Sequence, residues 1–449
     1  MSITNLYSSS ENGIDLLRGC PTPSLLPADL LASACQRVLS NPNDHETILN
    51  YGQTVGYQPL REALATWLSE HYQVNRDPDR LCITGGASQS LACILQSFTD
   101  PSYTRGIWMV APCYFLAASI FEDSGFASRL KAVSEDDEGI NIEELEQKLT
   151  DHDESWSVSP SETKSFKSVG PNRKLYRHVI YLVPTCGNPS GKTLPLHRRQ
   201  DLVRLARKHD ALVICDDVYD FLQWPLEGSV PLEQLQKVRI QRLSDIDRDL
   251  NVADGEGMVS KFGNAISNGT FSKLAGPGVR TGWVEGTPSF AAGLAMTGSN
   301  LSGGPPSQLC AAIMAELVHT KDLQRHLEQQ MRPVLQRRET LMREAISKYL
   351  VPHGVFIAER QNVGIGGGYF IWLRLGPSQS AQKVAQAVLK EKGVLVGNGN
   401  FFNVKGDSQK LSFDGNIRLC FAWEAEDRMV EGVRRLGEVL GGCQSEAGV

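Results

Sequence analysis

Four short clusters in this chain carry side chains that could do chemistry together. "SNGTFSKLAGPGVRTGW" (267–283) sets Lys273 among the hydroxyls of Thr270 and Ser272, with Arg280 seven residues further on. The lead-in "NAISNGTF" reads as an apolar strand entering the interior, so Lys273 falls at a strand end, where a lysine is uncommon. "CDDVY" (215–219) places Asp216 and Tyr219 three residues apart at the end of another apolar run. A carboxylate there is costly unless it meets a cation. "TGGASQSL" (84–91) puts Gly85, Gly86, Ala87 and Ser88 just ahead of a helical segment, where exposed backbone N–H groups bind phosphate. "PTCGNPSG" (184–191) holds Asn188 in a Pro/Gly turn. Taken singly, the last two clusters are ordinary turns.

Together they match the needs of one cofactor, pyridoxal 5'-phosphate. It requires an amine to condense with its aldehyde, an acid partner for its ring nitrogen, donors for its phenolate oxygen and a cup for its phosphate. The ordered set NPSG, DxxY and SK-x6-R resembles the class I/II aminotransferase family of fold-type-I pyridoxal-phosphate enzymes, nearest the aminoadipate/kynurenine-type branch. The resemblance runs from "IDLLRGCPTPSLLP" (14–27) to "NIRLCFAWEAEDRMVEGVRRL" (416–436). It implies Lys273 as the lysine that holds the cofactor, Asp216 as the ring-nitrogen partner, and Tyr219 with Asn188 on the ring hydroxyl. Ala87, Ser88, Thr270, Ser272 and Arg280 would form the phosphate cup, and Tyr114 would stack on the ring. Arg418 would fork onto the substrate α-carboxylate, a geometry lysine cannot supply. Gly19 would line the substrate pocket, and Tyr51 would reach the phosphate of a neighbouring subunit, implying a homodimer with shared sites. Arg18, beside Gly19, reads either as a solvated surface arginine or as a reader of a distal carboxylate. Three departures from the family pattern stand out: Ala87 where serine is common, Val110-Ala111 in place of an acidic pair, and "VGNGNFF" (396–402) in place of a Pro-Gly loop.

Stepping outward from these residues, the elements that must position them alternate. "LCITGGA", "GIWMVAPCY", "HVIYLVPT", "ALVICDDVY" and "NAISNGTFS" read as buried strands between helical segments. That alternation predicts an α/β domain with a mostly parallel sheet, seven-stranded by resemblance, between helices. Ligands in such sheets gather at the carboxyl ends of strands, where each cluster falls. After about residue 305 long helices mix with the strand-like "GGYFIWLRL", "GVLVGNG" and "GNIRLCFAW", predicting a smaller α+β domain. The expected organisation is 1–45 joining the small domain, 46–305 as the large domain and 306–449 as the small one. Pro333 should kink or break its helix. The acidic run 134–149 reads as the solvated start of a surface helix, and 153–174 and 233–257 as loops or insertions.

Composition is that of an ordinary globular chain of 449 residues, 41% apolar and 21% charged. A net charge of −6 argues against a nucleic-acid partner. Ten scattered cysteines without a CxxC pair read as free thiols in a reducing compartment. No signal peptide or apolar run of ~20 residues is evident, so a cytoplasmic protein with no membrane partner is expected. Nine histidines show no metal-binding spacing, and no metal is expected. Three functions remain open at this point. The first is a ping-pong aminotransferase passing an amino group from an α-amino acid to a 2-oxo acid, best guessed by resemblance as 2-oxoglutarate. The second is a C–S β-lyase or other side-chain elimination enzyme using the same residues. The third is a non-catalytic aminotransferase-like binding module.

Overall fold

The computed structural model describes residues 13–156, 166–170, 172–226, 240–253, 261–357, 364–377, 379–407 and 411–446. Much of the two expected insertions, 157–165 with 171 of the first and 233–239 with 254–257 of the second, therefore lies outside the described residues.

One sheet organises the larger part of the chain. Its strands lie in the order Leu81–Thr84, Gly282–Glu285, Ala265–Thr270, Ala211–Asp216, His178–Leu182, Gly106–Ala111, Leu130–Asp136 and Gly139–Ile140. Gly282–Glu285 runs against both neighbours, and the two-residue Gly139–Ile140 folds back on its predecessor. The remaining pairs between Ala265–Thr270 and Leu130–Asp136 are parallel. The sheet thus has eight strands, the seven expected plus this short return at one edge.

Both faces are covered, which is why the strands read as continuous apolar runs. Leu212 and Ile214 pack on one side with Ile94, Phe98 and Phe290. Val213 and Cys215 pack on the other with Leu202, Val203 and Ala206 from the helix Leu196–Lys208. The period-2 alternation carried one step further sends Asp216 to the first side and Asp217 to the second.

The smaller sheet has the order Phe356–Ile357, Phe370–Arg374, Asn416–Cys420 and Gly397–Asn398, all antiparallel. The N-terminal stretch joins this region: Ile14–Asp15 pairs with Val394–Leu395, and the Cys420 amide donates to Leu16 O. The helix Gln308–His319 instead packs on the helix Gln58–Tyr72, so the chain just after 305 still lies against the larger unit. Ile365–Gly367, from the glycine-rich "GIGGGY", pairs with Gln223–Pro225 and is strand, not a phosphate loop. Ahead of Pro333 a π-helical turn, Leu327–Met331, joins Asp322–His326 to Arg332–Tyr349, with helical dihedrals at both junctions. The helix is therefore not broken at Pro333; the distortion is the wider turn just upstream of it.

The acidic run departs from its expected role. Ser134, Glu135 and Asp136 complete a strand before the helix Ile142–Ser155, which Asn141 caps through its side chain to the Glu144 amide. Charges at a strand end resemble a helix start in sequence, and Glu135 is the one that turns inward.

Candidate active site

The carboxyl ends of the parallel strands surround a cavity of about 190 Å³. Ala87, Ser88, Tyr114, Asn188, Asp216, Tyr219, Thr270, Ser272, Lys273 and Arg280 all line it. Ten of the residues singled out in the sequence therefore meet in one place.

Asp216 ends its strand 7% exposed. Its Oδ2 accepts from the Tyr181 hydroxyl at 2.7 Å and its Oδ1 from Asn268 Nδ2 at 3.4 Å. Burial pushes its carboxyl up to about 6, with the Tyr181 bond and the nearby Lys273 charge opposing that rise. Asp217 lies on the opposite side of the strand, as the alternation requires.

Lys273 sits on the single turn Phe271–Lys273 that follows its strand. Its Nζ donates to Gly19 O at 2.7 Å, so the N-terminal arm closes one end of the cavity. Burial pulls its ammonium below the usual lysine range; the Cys20 and Cys420 thiols and Asp216 oppose, while Arg418 reinforces. Tyr369 fixes the turn by donating to Lys273 O at 3.0 Å.

Another corner of the cavity is built for an anion. The helix Ala87–Phe98 begins there, and Gly86 ahead of it has φ +96°. A Cβ on Gly86 would stand 3.3 Å from Arg280 Nη2 and 3.5 Å from Thr270 Oγ1, so glycine leaves this corner open. Arg280 is held by Gly85 O and Pro277 O, both at 3.0 Å. Thr270 and Ser272 bond to each other at 3.0 Å.

Arg418 reaches the site from the smaller sheet, 3% exposed. It donates to Asn188 Oδ1 at 2.7 Å and to Leu17 O at 2.5 Å, and its guanidinium lies 3.9 Å from the Phe370 ring centre and 4.8 Å from that of Phe402. Gly19 faces Phe370, whose Cζ would lie 2.7 Å from an added Cβ. Arg18 pairs with Asp15 at 3.3 Å and stacks 4.4 Å over Trp423. Tyr51 stands apart, 83% exposed and outside the cavity.

Sequence reasoning missed Tyr181 and Asn268. Both are polar residues inside apolar strands, and Asn268 is Asp216's register partner on the next strand. Its Nδ2 also donates to Ala87 O at 3.1 Å, while its buried Oδ1 has no hydrogen-bond partner among the described residues. An amine, a buried carboxylate, an open anion corner and this unmet acceptor fit a flat, phosphorylated pyridine.

A mostly parallel sheet with that constellation at its strand ends defines an enzyme of the fold-type-I kind. The chain belongs to the class I and II aminotransferase family, whose model matches residues 25–436. An uncharacterized protein of Saccharomyces cerevisiae is 32% identical over 97% of each chain. Aromatic-amino-acid aminotransferase 1 of Thermococcus litoralis is 27% identical over 95% of this chain and 88% of its own. The kynurenine aminotransferase of Pyrococcus horikoshii superposes with a TM-score of 0.76 at 26% identity, covering 98% of this chain and 93% of that one.

The raised Asp216 carboxyl has a stability consequence. A folded-state value of about 6 against an ordinary 3.8 means stability is full below 3.8 and is lost as pH rises through 6. Asp216→Asn should therefore stabilise the ligand-free protein at pH 7.5 by on the order of 2–3 kcal/mol and have little effect near pH 4. Urea denaturation at the two pH values checks this; equal or lower stability of the variant at pH 7.5 would show that the carboxylate is not strained.

Proposed function

We propose that the cavity holds pyridoxal 5'-phosphate and that the protein moves the amino group of an α-amino acid to a 2-oxo acid in two half-reactions. The observation that carries this is that the buried Asp216 carboxylate, the Lys273 amine and the anion corner all line one cavity. Asp216 would hold a proton at the ring nitrogen, aligned by Tyr181 and Asn268. Ala87, Ser88, Thr270, Ser272 and Arg280 would hold the phosphate. Tyr219 and Asn188 would meet the ring hydroxyl, and Tyr114 would cover a ring face. When bound, the cofactor supplies an electron sink for the pair released as the Cα–H bond breaks. Lys273 Nζ, its basicity lowered by burial, accepts the Cα proton as general base. Arg418 binds the α-carboxylate and orients that bond.

Relatives named for aromatic amino acids and kynurenine support a donor with a large apolar side chain. Among the described residues no helix is long and apolar enough to cross a membrane. The resemblance at Tyr51 favours a homodimer with shared sites.

Purified protein should absorb visible light. Borohydride treatment followed by peptide mapping should find the cofactor mass on the Lys273 peptide, and Lys273→Ala should be colourless. Wild-type protein that never takes up the cofactor would sink the reading.

Tyr51 tests the shared site. Mixing Tyr51→Ala chains with Lys273→Ala chains should restore part of the activity, because one hybrid site keeps both wild-type residues. Its absence between subunits shown to exchange would place Tyr51 outside the chemistry.

A further inference from the structure

Glu135 is a buried acid that the chemistry above does not use. It lies near the end of the strand Leu130–Asp136, with its side chain 10% exposed. Oε1 accepts from Ser190 Oγ at 3.0 Å, and Oε2 lies 3.7 Å from Lys192 Nζ. Lys192 also donates to Asp136 O at 2.5 Å. Ser190 and Lys192 flank Gly191 in the turn that presents Asn188, and Asn188 Oδ1 accepts from Arg418. That turn closes on itself through Gly187 N to Lys192 O at 2.8 Å and Leu194 N to Pro184 O at 2.9 Å. Its side-chain ties to the sheet edge are Ser190 and Lys192 on the Glu135 carboxylate and Lys192 on Asp136 O. A void of about 20 Å³ bordered by Glu135, Ser190, Asn188, Tyr114 and Tyr181 adjoins the main cavity, with room for one water.

We propose that Glu135 is a positioning residue for the carboxylate-binding arm: its ionised carboxylate anchors the turn through Ser190 and Lys192, and the turn sets Asn188 and hence Arg418. This rests on Arg418 as the group that meets the substrate carboxylate. The linkage runs through Ser190, Lys192 and Asn188 to Arg418, so its direct readout is the binding of a carboxylate.

Burial pushes the Glu135 carboxyl up to about 7, with Lys192 and Ser190 opposing and Asp136 reinforcing. The other groups facing this corner are Arg198, paired with Asp136 at 3.1 Å, Glu144, which accepts from Ser134, and the Cys113, Tyr114 and Tyr181 side chains around the void. The anchor therefore changes charge across the neutral range. Below pH 7 the Lys192 attraction to Glu135 is lost, leaving the Ser190 bond and the Lys192 bond to Asp136 O, and carboxylate binding weakens. Stability moves the other way. A folded-state value of about 7 against an ordinary 4.5 means stability is lost as pH rises between them, so Glu135→Gln should melt higher than wild type above pH 7 and alike near pH 4.5.

The test is titration calorimetry of the cofactor-loaded enzyme with 3-phenylpropanoate, a carboxylate with no amine to react, from pH 5.5 to 8.5. Wild type should bind more weakly below about pH 7. Glu135→Gln should bind about fivefold to tenfold more weakly at pH 8, the scale of one hydrogen bond's net contribution. It should lose the inflection while melting higher than wild type, and Glu135→Asp should restore part of both affinity and inflection. Binding and inflection unchanged in Glu135→Gln would overturn the proposal and leave the Arg418 reading intact. A fall in affinity accompanied by a lower melting temperature at pH 8 would reduce Glu135 to a structural support, also against it. No binding to wild type at any pH would overturn the Arg418 reading and this one with it.

Discussion

The site depends on keeping two opposite charges in one buried cavity without letting them neutralise each other by direct contact. Asp216 is held by the neutral donors Tyr181 and Asn268, and Lys273 by the Gly19 carbonyl. Were they to pair, the carboxylate would lose the geometry that suits a ring nitrogen and the amine its freedom to react. Desolvation drives both toward neutrality, Asp216 upward and Lys273 downward. Each is a chemically available group because it is an uncomfortable one, and a bound cationic ring would relieve the carboxylate.

The fold supplies this arrangement through strand order and alternation. Asp216 and Asn268 are register partners on adjacent parallel strands, which brings the amide onto the carboxylate. The same alternation sends Asp217 to the other face, so of two consecutive aspartates only one can serve the cavity. The smaller sheet contributes Arg418, and the N-terminal arm, paired with that region, brings Gly19 across to Lys273. The two ends of the chain thus close the site that the middle builds.

Lys273 and Asp216 were legible in the sequence because each is a polar residue where an apolar strand ends, whereas Asn188 and Arg280, in turns that are ordinary taken singly, were legible only as members of the ordered motif set. Tyr181 and Asn268 were not, since a tyrosine or asparagine within a strand carries no periodicity that tells which face it takes. Leu130–Asp136 was hidden by its acidic end, whose charges look solvated until the fold buries Glu135 against Ser190. Gly282–Glu285, four residues in reversed direction, is too short to announce itself beside the motif that precedes it. Tyr51 was read from family resemblance, and its exposure in the single chain gives it no local partner in the cavity.

The central claim is that Asp216 makes the site reactive by holding a proton on the ring nitrogen. Its most direct test is the turnover of Asp216→Asn protein, loaded with pyridoxal phosphate and assayed with an aromatic amino acid and 2-oxoglutarate. An amide cannot hold that proton, so turnover should fall by roughly 10²–10³-fold or more while the cofactor stays bound. Turnover close to wild type in a loaded, folded variant would contradict the account.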